Sequence, residues 1–91
     1  MEIELKDILN KRNFIIDLRD KYLYDKKHIR DSLNVPYNFL LINPKEYIDF
    51  NHEYYLICEY GIKSQIVSKI LNNMGYHTYS IKNGIQNYLN H

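Results

Sequence analysis

The stretch Tyr54-Tyr55-Leu56-Ile57-Cys58-Glu59-Tyr60-Gly61-Ile62-Lys63-Ser64 lies near the middle of this 91-residue chain and indicates its fold. Residues 54–58 form an aromatic and aliphatic run without Gly or Pro, which is typical of a buried β-strand. The following apolar residues recur at helical spacing and predict an amphipathic helix that stops at Gly75: Ile62, Ile66, Val67, Ile70, Leu71 and Met74. A strand that leads through a short loop into a helix is a building unit of parallel sheets.

Weaker patterns on both sides of this stretch extend it into alternating strands and helices. Further strands are predicted over 14–18, 32–35 and 77–81. Three short helices are predicted, with apolar faces at Leu5, Ile8 and Leu9, at Tyr47, Ile48 and Phe50 after an Asn43-Pro44 start, and at Ile85, Tyr88 and Leu89. We therefore predict one α/β domain over residues 1–91, with a small central parallel sheet flanked by helices on both faces.

Composition excludes several classes of protein. Twelve basic and eleven acidic side chains nearly cancel, which argues against a nucleic-acid or membrane-surface partner. The first seven residues carry acids and no apolar segment of a secretory signal, so a cytoplasmic location is expected. One cysteine forms neither an internal disulfide nor a multi-thiolate metal site. Ile, Asn, Lys and Tyr are abundant, and their codons are rich in A and T, which indicates a bacterial source. We also expect the protein to be a monomer.

Cys58 is the first candidate for chemistry, because ligands of parallel sheets bind at the carboxyl ends of the strands. The loop that follows it leads directly into a helix, whose N-terminal N–H groups favour an anion. Gly61 permits unusual backbone conformations, and Lys63 adds a nearby cation. Such surroundings favour the thiolate form of a cysteine, which is the nucleophile. The alternative is that Cys58 is a small buried residue that ends a core strand.

Other catalytic patterns are weak. Gly61-Ile62-Lys63-Ser64 lacks the contiguous Gly-Lys-Ser and the earlier glycine of a phosphate-binding P-loop. The four histidines at positions 28, 52, 77 and 91 have no metal-ligand spacing, so no metal is expected. No local signature of a Cys–His protease is present.

Five segments, taken in order, resemble the single-domain rhodanese-like (thiosulfate sulfurtransferase-like) family. They are Ile16-Asp17-Leu18-Arg19, the stretch from His28 to Pro36, Cys58 to Ser64, Gly75-Tyr76, and Asn83-Gly84. The resemblance covers about residues 3–89, and the order and spacing of the segments make it specific.

The resemblance implies a sulfurtransferase that carries sulfane sulfur as a persulfide on Cys58. It implies a substrate-binding cradle formed by Glu59, Tyr60, Gly61, Ile62, Lys63 and Ser64. Asp17, Arg19 and His28 match positions that support the site. The expected donor is a small sulfur-containing anion such as thiosulfate or a protein persulfide, and the acceptor is a cellular thiol, or cyanide in vitro. No cofactor is implied.

Departures from the family pattern keep other functions open. Lys63 stands where the family usually has Arg. Lysine keeps the positive charge but lacks the two parallel N–H donors with which a guanidinium binds an anion. Glu59 places a carboxylate beside the nucleophile, where it would repel thiosulfate if it pointed inward. A phosphatase or arsenate reductase of this fold would need a cradle one residue longer. A binding or regulatory module without enzymatic activity is the other alternative.

Overall fold

The computed structural model describes residues 1–89, apart from the side chains of Asn87 and Leu89, and contains a five-stranded parallel sheet. The sheet has the order β1-β5-β4-β2-β3, with all neighbouring strands parallel. Its strands are β1 (Glu2–Ile3), β2 (Ile15–Asp17), β3 (Leu33–Asn34), β4 (Glu53–Ile57) and β5 (His77–Ile81). The predicted α/β class is therefore confirmed.

Helices cover both faces of the sheet, as the sequence predicts. They are α1 (Lys21–Lys26), α2 (Tyr37–Ile42), α3 (Ile62–Asn73) and α4 (Gly84–Leu89), with 3₁₀ segments at Leu5–Phe14 and Pro44–Glu46. Alternation along β4 divides the core, because Tyr54 and Leu56 pack with α2 and α3 while Tyr55 and Ile57 pack with the first 3₁₀ segment and α4. None of the helices within residues 1–89 combines the length and apolarity that a membrane span requires.

Several local predictions need correction. The sequence patterns did not predict β1, α1 or α2. Residues 5–14 form irregular 3₁₀ turns in which Leu9 is exposed, because Ile8 and Lys11 leave helical geometry. The helix predicted from Asn43 is a single 3₁₀ turn without a side-chain cap. Phe50 is exposed and stacks on Tyr76, while the side chain of Leu89, together with Asn90 and His91, lies outside the described residues.

Four of the six residues predicted to form the apolar face of α3 are exposed. Val67 and Leu71 are buried, whereas Ile62, Ile66, Ile70 and Met74 are exposed. The face that meets the sheet includes two fully buried serines, Ser64 and Ser68, whose hydroxyls contact Ser80 and Thr78 of β5. Hydroxyl pairs between α3 and β5 replace the apolar contacts that the helical pattern predicts.

Helix α4 holds the loop that follows β4. The backbone N–H of Ile85 donates to the Cys58 carbonyl at 2.8 Å, and that of Gln86 donates to the Glu59 carbonyl at 3.2 Å. Gly84 makes this approach possible, because a Cβ there would lie 2.5 Å from both of those carbonyl oxygens. Its φ of 64° also favours glycine.

Gly84→Ala is expected to lower the free energy of unfolding by about 2–5 kcal/mol, because a methyl group would push α4 away from the loop and alanine resists a positive φ. Gly75→Ala is the matched control. Gly75 also has a positive φ, but its Cβ would meet only the Phe50 ring at 3.4 Å, so a loss of about 1–2 kcal/mol is expected. Urea unfolding of both variants measures the difference. Equal losses would show that α4 does not hold the loop in this way.

Candidate active site

Cys58 lies just beyond the carboxyl end of β4, with its sulfur inside a loop of backbone N–H groups. The N–H of Gly61 donates to Sγ at 3.2 Å, and the N–H of Ser64 donates at 3.3 Å. Cys58 is 5% exposed, so an incoming molecule reaches the sulfur from one side only. Two fixed N–H donors stabilise negative charge on a sulfur atom without needing to reorient.

The left-handed conformation of Gly61 turns the chain into α3 and directs these N–H groups inward. Its φ is 92°, and a Cβ at this position would lie 3.0 Å from the backbone nitrogen of Asn83. Asn83 also has a positive φ, 64°, which asparagine tolerates better than most residues. The loop between Cys58 and Ser64 is therefore packed closely against the turn before α4.

Buried hydroxyl groups lie behind the sulfur. The Cys58 thiol donates to Ser64 Oγ at 3.4 Å, and the Ser64 hydroxyl donates to the Gly61 carbonyl at 3.2 Å. Ser64 Oγ also lies 2.5 Å from Ser80 Oγ of β5. Ser80 was not among the predicted site residues. A serine in a buried strand is the only signal in the sequence, and it does not reveal which residue lies opposite.

Asp17 and Arg19 form a buried ion pair at the end of β2. Arg19 Nε donates to Asp17 Oδ1 at 3.0 Å and Nη2 donates to Oδ2 at 2.9 Å, while Nη2 also donates to the Lys27 carbonyl at 2.7 Å. Arg19 reaches the pocket wall, and Asp17 lies behind it. His28 does not join them, because its ring stacks on Tyr24 and its Nδ1 lies 2.7 Å from the Tyr24 carbonyl oxygen.

The pocket above Cys58 has a volume of about 540 Å³ and combines residues from three parts of the chain. The loop and the start of α3 contribute Cys58, Glu59, Tyr60, Ile62 and Lys63. Arg19, a predicted supporting residue, also lines the pocket, together with residues outside the predicted cradle and supporting set: Leu18, Asp20, Leu23, Tyr37 and Ile66. Gly61 and Ser64 shape the cradle without lining this pocket.

Two charged side chains of the loop have defined partners at the pocket wall. Lys63 Nζ lies 4.0 Å from the centroid of the Tyr37 ring, a cation–π contact. Gln86 Nε2 of α4 donates to Glu59 Oε1 at 2.6 Å. Glu59 Oε2 is buried, has no hydrogen-bond donor among the described residues, and lies 3.9 Å from Arg19 Nη1. The carboxylate is therefore held at the pocket instead of extending into solvent.

The part of the chain that the structure describes contains no group of three or more His, Cys, Asp or Glu side chains that could hold a metal ion. The groups available for chemistry at this pocket are therefore a thiol, its N–H donors and the flanking charges. This set can stabilise a sulfur nucleophile and admit a molecule to it from one side.

Comparison with known proteins agrees with this architecture. The family described as Rhodanese-like domain matches residues 2–91, and the chain belongs to that family. A rhodanese-related protein from Thermoplasma volcanium has the same fold, with a TM-score of 0.87 and 22% identity over 98% of this chain and 90% of its own.

Two longer proteins named as sulfurtransferases are also similar. The tRNA sulfurtransferase of Thermoplasma acidophilum is 35% identical over 78 residues, which are 86% of this chain. The adenylyltransferase and sulfurtransferase uba4 of Ogataea parapolymorpha is 35% identical over 68 residues, or 69% of this chain. The match covers 15% and 16% of those two proteins. The chain is thus related to one segment of sulfurtransferases, and the activities of the whole proteins are not transferred with it.

Ser64→Ala is expected to speed alkylation of Cys58 by iodoacetamide roughly two- to tenfold, because the variant removes the hydroxyl oxygen that accepts from the unreactive thiol and keeps the Ser64 N–H that donates to the sulfur. Ser68→Ala is the matched control, because Ser68 lies one turn further along α3, is equally buried and also bonds to a β5 hydroxyl. Both variants should lose about 1–3 kcal/mol of stability, since each leaves a buried partner unpaired. Equal alkylation rates in the two variants would show that the Ser64 hydroxyl does not influence the sulfur.

Proposed function

We propose that this chain is a sulfurtransferase that carries sulfane sulfur as a persulfide on Cys58. The donor is a sulfur-containing anion such as thiosulfate, or a persulfide, and the acceptor is a cellular thiol, or cyanide in vitro. The observation that carries the proposal is the sulfur of Cys58 at a pocket, with the N–H groups of Gly61 and Ser64 donating to it. The family and the sulfurtransferase relatives support the same chemistry.

The reaction has two displacement steps at sulfur. In the first, the Cys58 thiolate attacks the outer sulfur of the donor, a bond from Sγ to that sulfur forms, and the donor bond breaks. With thiosulfate, sulfite leaves with the electron pair. In the second step, a thiolate or cyanide attacks the terminal sulfur of the persulfide, and the Cys58 thiolate is the leaving group. Both steps need a stabilised sulfur anion, which the two N–H donors supply.

The supporting residues have positions that suit these steps. Arg19 lines the pocket in an orientation fixed by its ion pair with Asp17, which uses Nε and Nη2 and leaves Nη1 as a donor for a bound molecule. Lys63 lies over Tyr37 at the pocket wall, where it can contact an entering anion. His28 packs against Tyr24 and supports the segment that leads to β3. We assign binding roles to Arg19 and Lys63 and a scaffold role to His28.

Cys58→Ser is expected to abolish sulfur transfer, because serine is close in size but is not ionised near neutral pH. The serine hydroxyl still fits the N–H donors, so stability should change by no more than about 1 kcal/mol. Intact mass spectrometry after incubation with thiosulfate or glutathione persulfide should show one added sulfur atom on the wild type and none on the variant. Cyanide should remove that sulfur as thiocyanate. Substantial transfer by the serine variant would show that Cys58 is not the carrier.

Lys63→Ala is expected to raise the apparent KM for an anionic donor about two- to fivefold, the range for an exposed charge contact. Lys63→Arg should retain the wild-type value, because it keeps the charge and can also stack on Tyr37. Lys69→Ala is the control, since Lys69 is an exposed residue of α3 that does not line the pocket. Steady-state kinetics of the three variants measure the apparent KM for the anionic donor. Unchanged kinetics in Lys63→Ala would make Lys63 a surface residue without a role in binding.

A further inference from the structure

Glu59 is the unusual group of this pocket, because it places a fixed carboxylate directly after the nucleophile. Gln86 holds the side chain through Oε1 at 2.6 Å, and the backbone N–H of Gln86 also donates to the Glu59 carbonyl at 3.2 Å. The other carboxylate oxygen, Oε2, is buried and faces Arg19 Nη1 at 3.9 Å. Two contacts from α4 therefore keep this negative charge at the pocket.

The charges around the pocket cancel. Arg19 and Lys63 are the positive lining residues, and Asp20 and Glu59 are the negative ones. Asp17 occupies the Nε and Nη2 atoms of Arg19, so this guanidinium is already neutralised by a buried partner. A dianion entering the pocket meets no excess of positive charge, and like charge at Glu59 opposes it.

The rest of the lining is mostly apolar. Leucine, isoleucine and tyrosine side chains form it: Leu18, Leu23, Tyr37, Tyr60, Ile62 and Ile66. The volume of about 540 Å³ lies within the range of pockets that bind organic ligands. A small hydrated dianion makes no use of such a surface, whereas an organic donor buries apolar area against it.

We propose that Glu59 and this apolar wall make the site selective for sulfur donors that have an apolar body and at most one negative charge, and select against the thiosulfate dianion. The proposal rests on the sulfurtransferase function proposed above and specifies its donor. Benzenethiosulfonate is a suitable probe of this class. The Cys58 thiolate attacks its terminal sulfur, the bond from that sulfur to the sulfonyl sulfur breaks, and benzenesulfinate leaves with the electron pair.

The first test compares thiosulfate and benzenethiosulfonate as donors, with cyanide as acceptor, in the wild type and in Glu59→Gln. Removing the negative charge of Glu59 lowers the electrostatic repulsion of a dianionic donor more than that of a monoanionic donor. The variant should therefore raise kcat/KM for thiosulfate about fivefold or more relative to benzenethiosulfonate. This change should shrink in 1 M salt (about 3 Å Debye length), which screens the repulsion. Glu46→Gln removes an exposed carboxylate outside the pocket and should leave the ratio unchanged.

A second pair of variants tests the apolar wall. Ile66→Ser should lower kcat/KM for benzenethiosulfonate more than for thiosulfate, because Ile66 lines the pocket. Ile70→Ser is the matched control, since Ile70 is one turn further along α3, is also exposed and does not line the pocket. Equal effects of Ile66→Ser on the two donors would overturn the assignment of an apolar donor.

A binding measurement on the wild type does not depend on how any variant folds or on donor reactivity. Benzenesulfonate and sulfate carry no transferable sulfur, and either one slows alkylation of Cys58 by iodoacetamide if it occupies the pocket. Benzenesulfonate should protect at a concentration at least about tenfold lower than sulfate. Equal protection, or better protection by sulfate, would overturn the proposal.

The outcomes separate the two proposals. If both donors load Cys58 and Glu59→Gln leaves their ratio unchanged, the selectivity assigned to Glu59 is wrong and the sulfurtransferase function stands. If neither donor adds sulfur to the wild type or to Glu59→Gln, the proposed function itself fails and the selectivity fails with it.

Discussion

The two hydrogen bonds from the start of α4 to the carbonyls of Cys58 and Glu59 determine how the loop after β4 is folded. Because these carbonyls point outward to α4, the N–H groups of Gly61 and Ser64 are free to point inward at the sulfur. Gly84 permits the close approach, and Gly61 turns the chain into α3. The cradle therefore depends on hydrogen bonds between residues that lie 27 positions apart in sequence, as well as on the local residues that the motif contains.

The parallel sheet and the position of Cys58 could be predicted from the sequence because strong local signals encode them. The run before Cys58 has no breaker, and a helical pattern follows it. Helix α1 gave no such signal, since none of its residues is buried, and β1 has only two residues. The exposed side of α3 could not be predicted, because Ile66 and Val67 look alike in a helical pattern and only packing in the core beside the sheet separates them.

The partners of the site residues were the hardest part to predict, because they come from distant elements. Nothing in the local sequence shows that Ser80 meets Ser64, or that Gln86 holds Glu59. A tertiary contact with Gln86 of α4 fixes the direction of the Glu59 side chain, and a local sequence motif contains no information about that contact. The resemblance of a loop to its family thus predicts the backbone of the cradle better than it predicts the charges at the pocket wall.

The sheet order has a consequence for synthesis of the domain on the ribosome. Cys58 is translated well before Ser80 and the N–H groups of Ile85 and Gln86, so the emerging chain first carries an ordinary thiol without its outer supports. The edge strand β1 pairs with β5, and it too must wait for residues 80 and 81. Contacts between residues far apart in sequence form slowly compared with local helices. Cys58 therefore leaves the exit tunnel before β5 and α4, the elements that complete its environment.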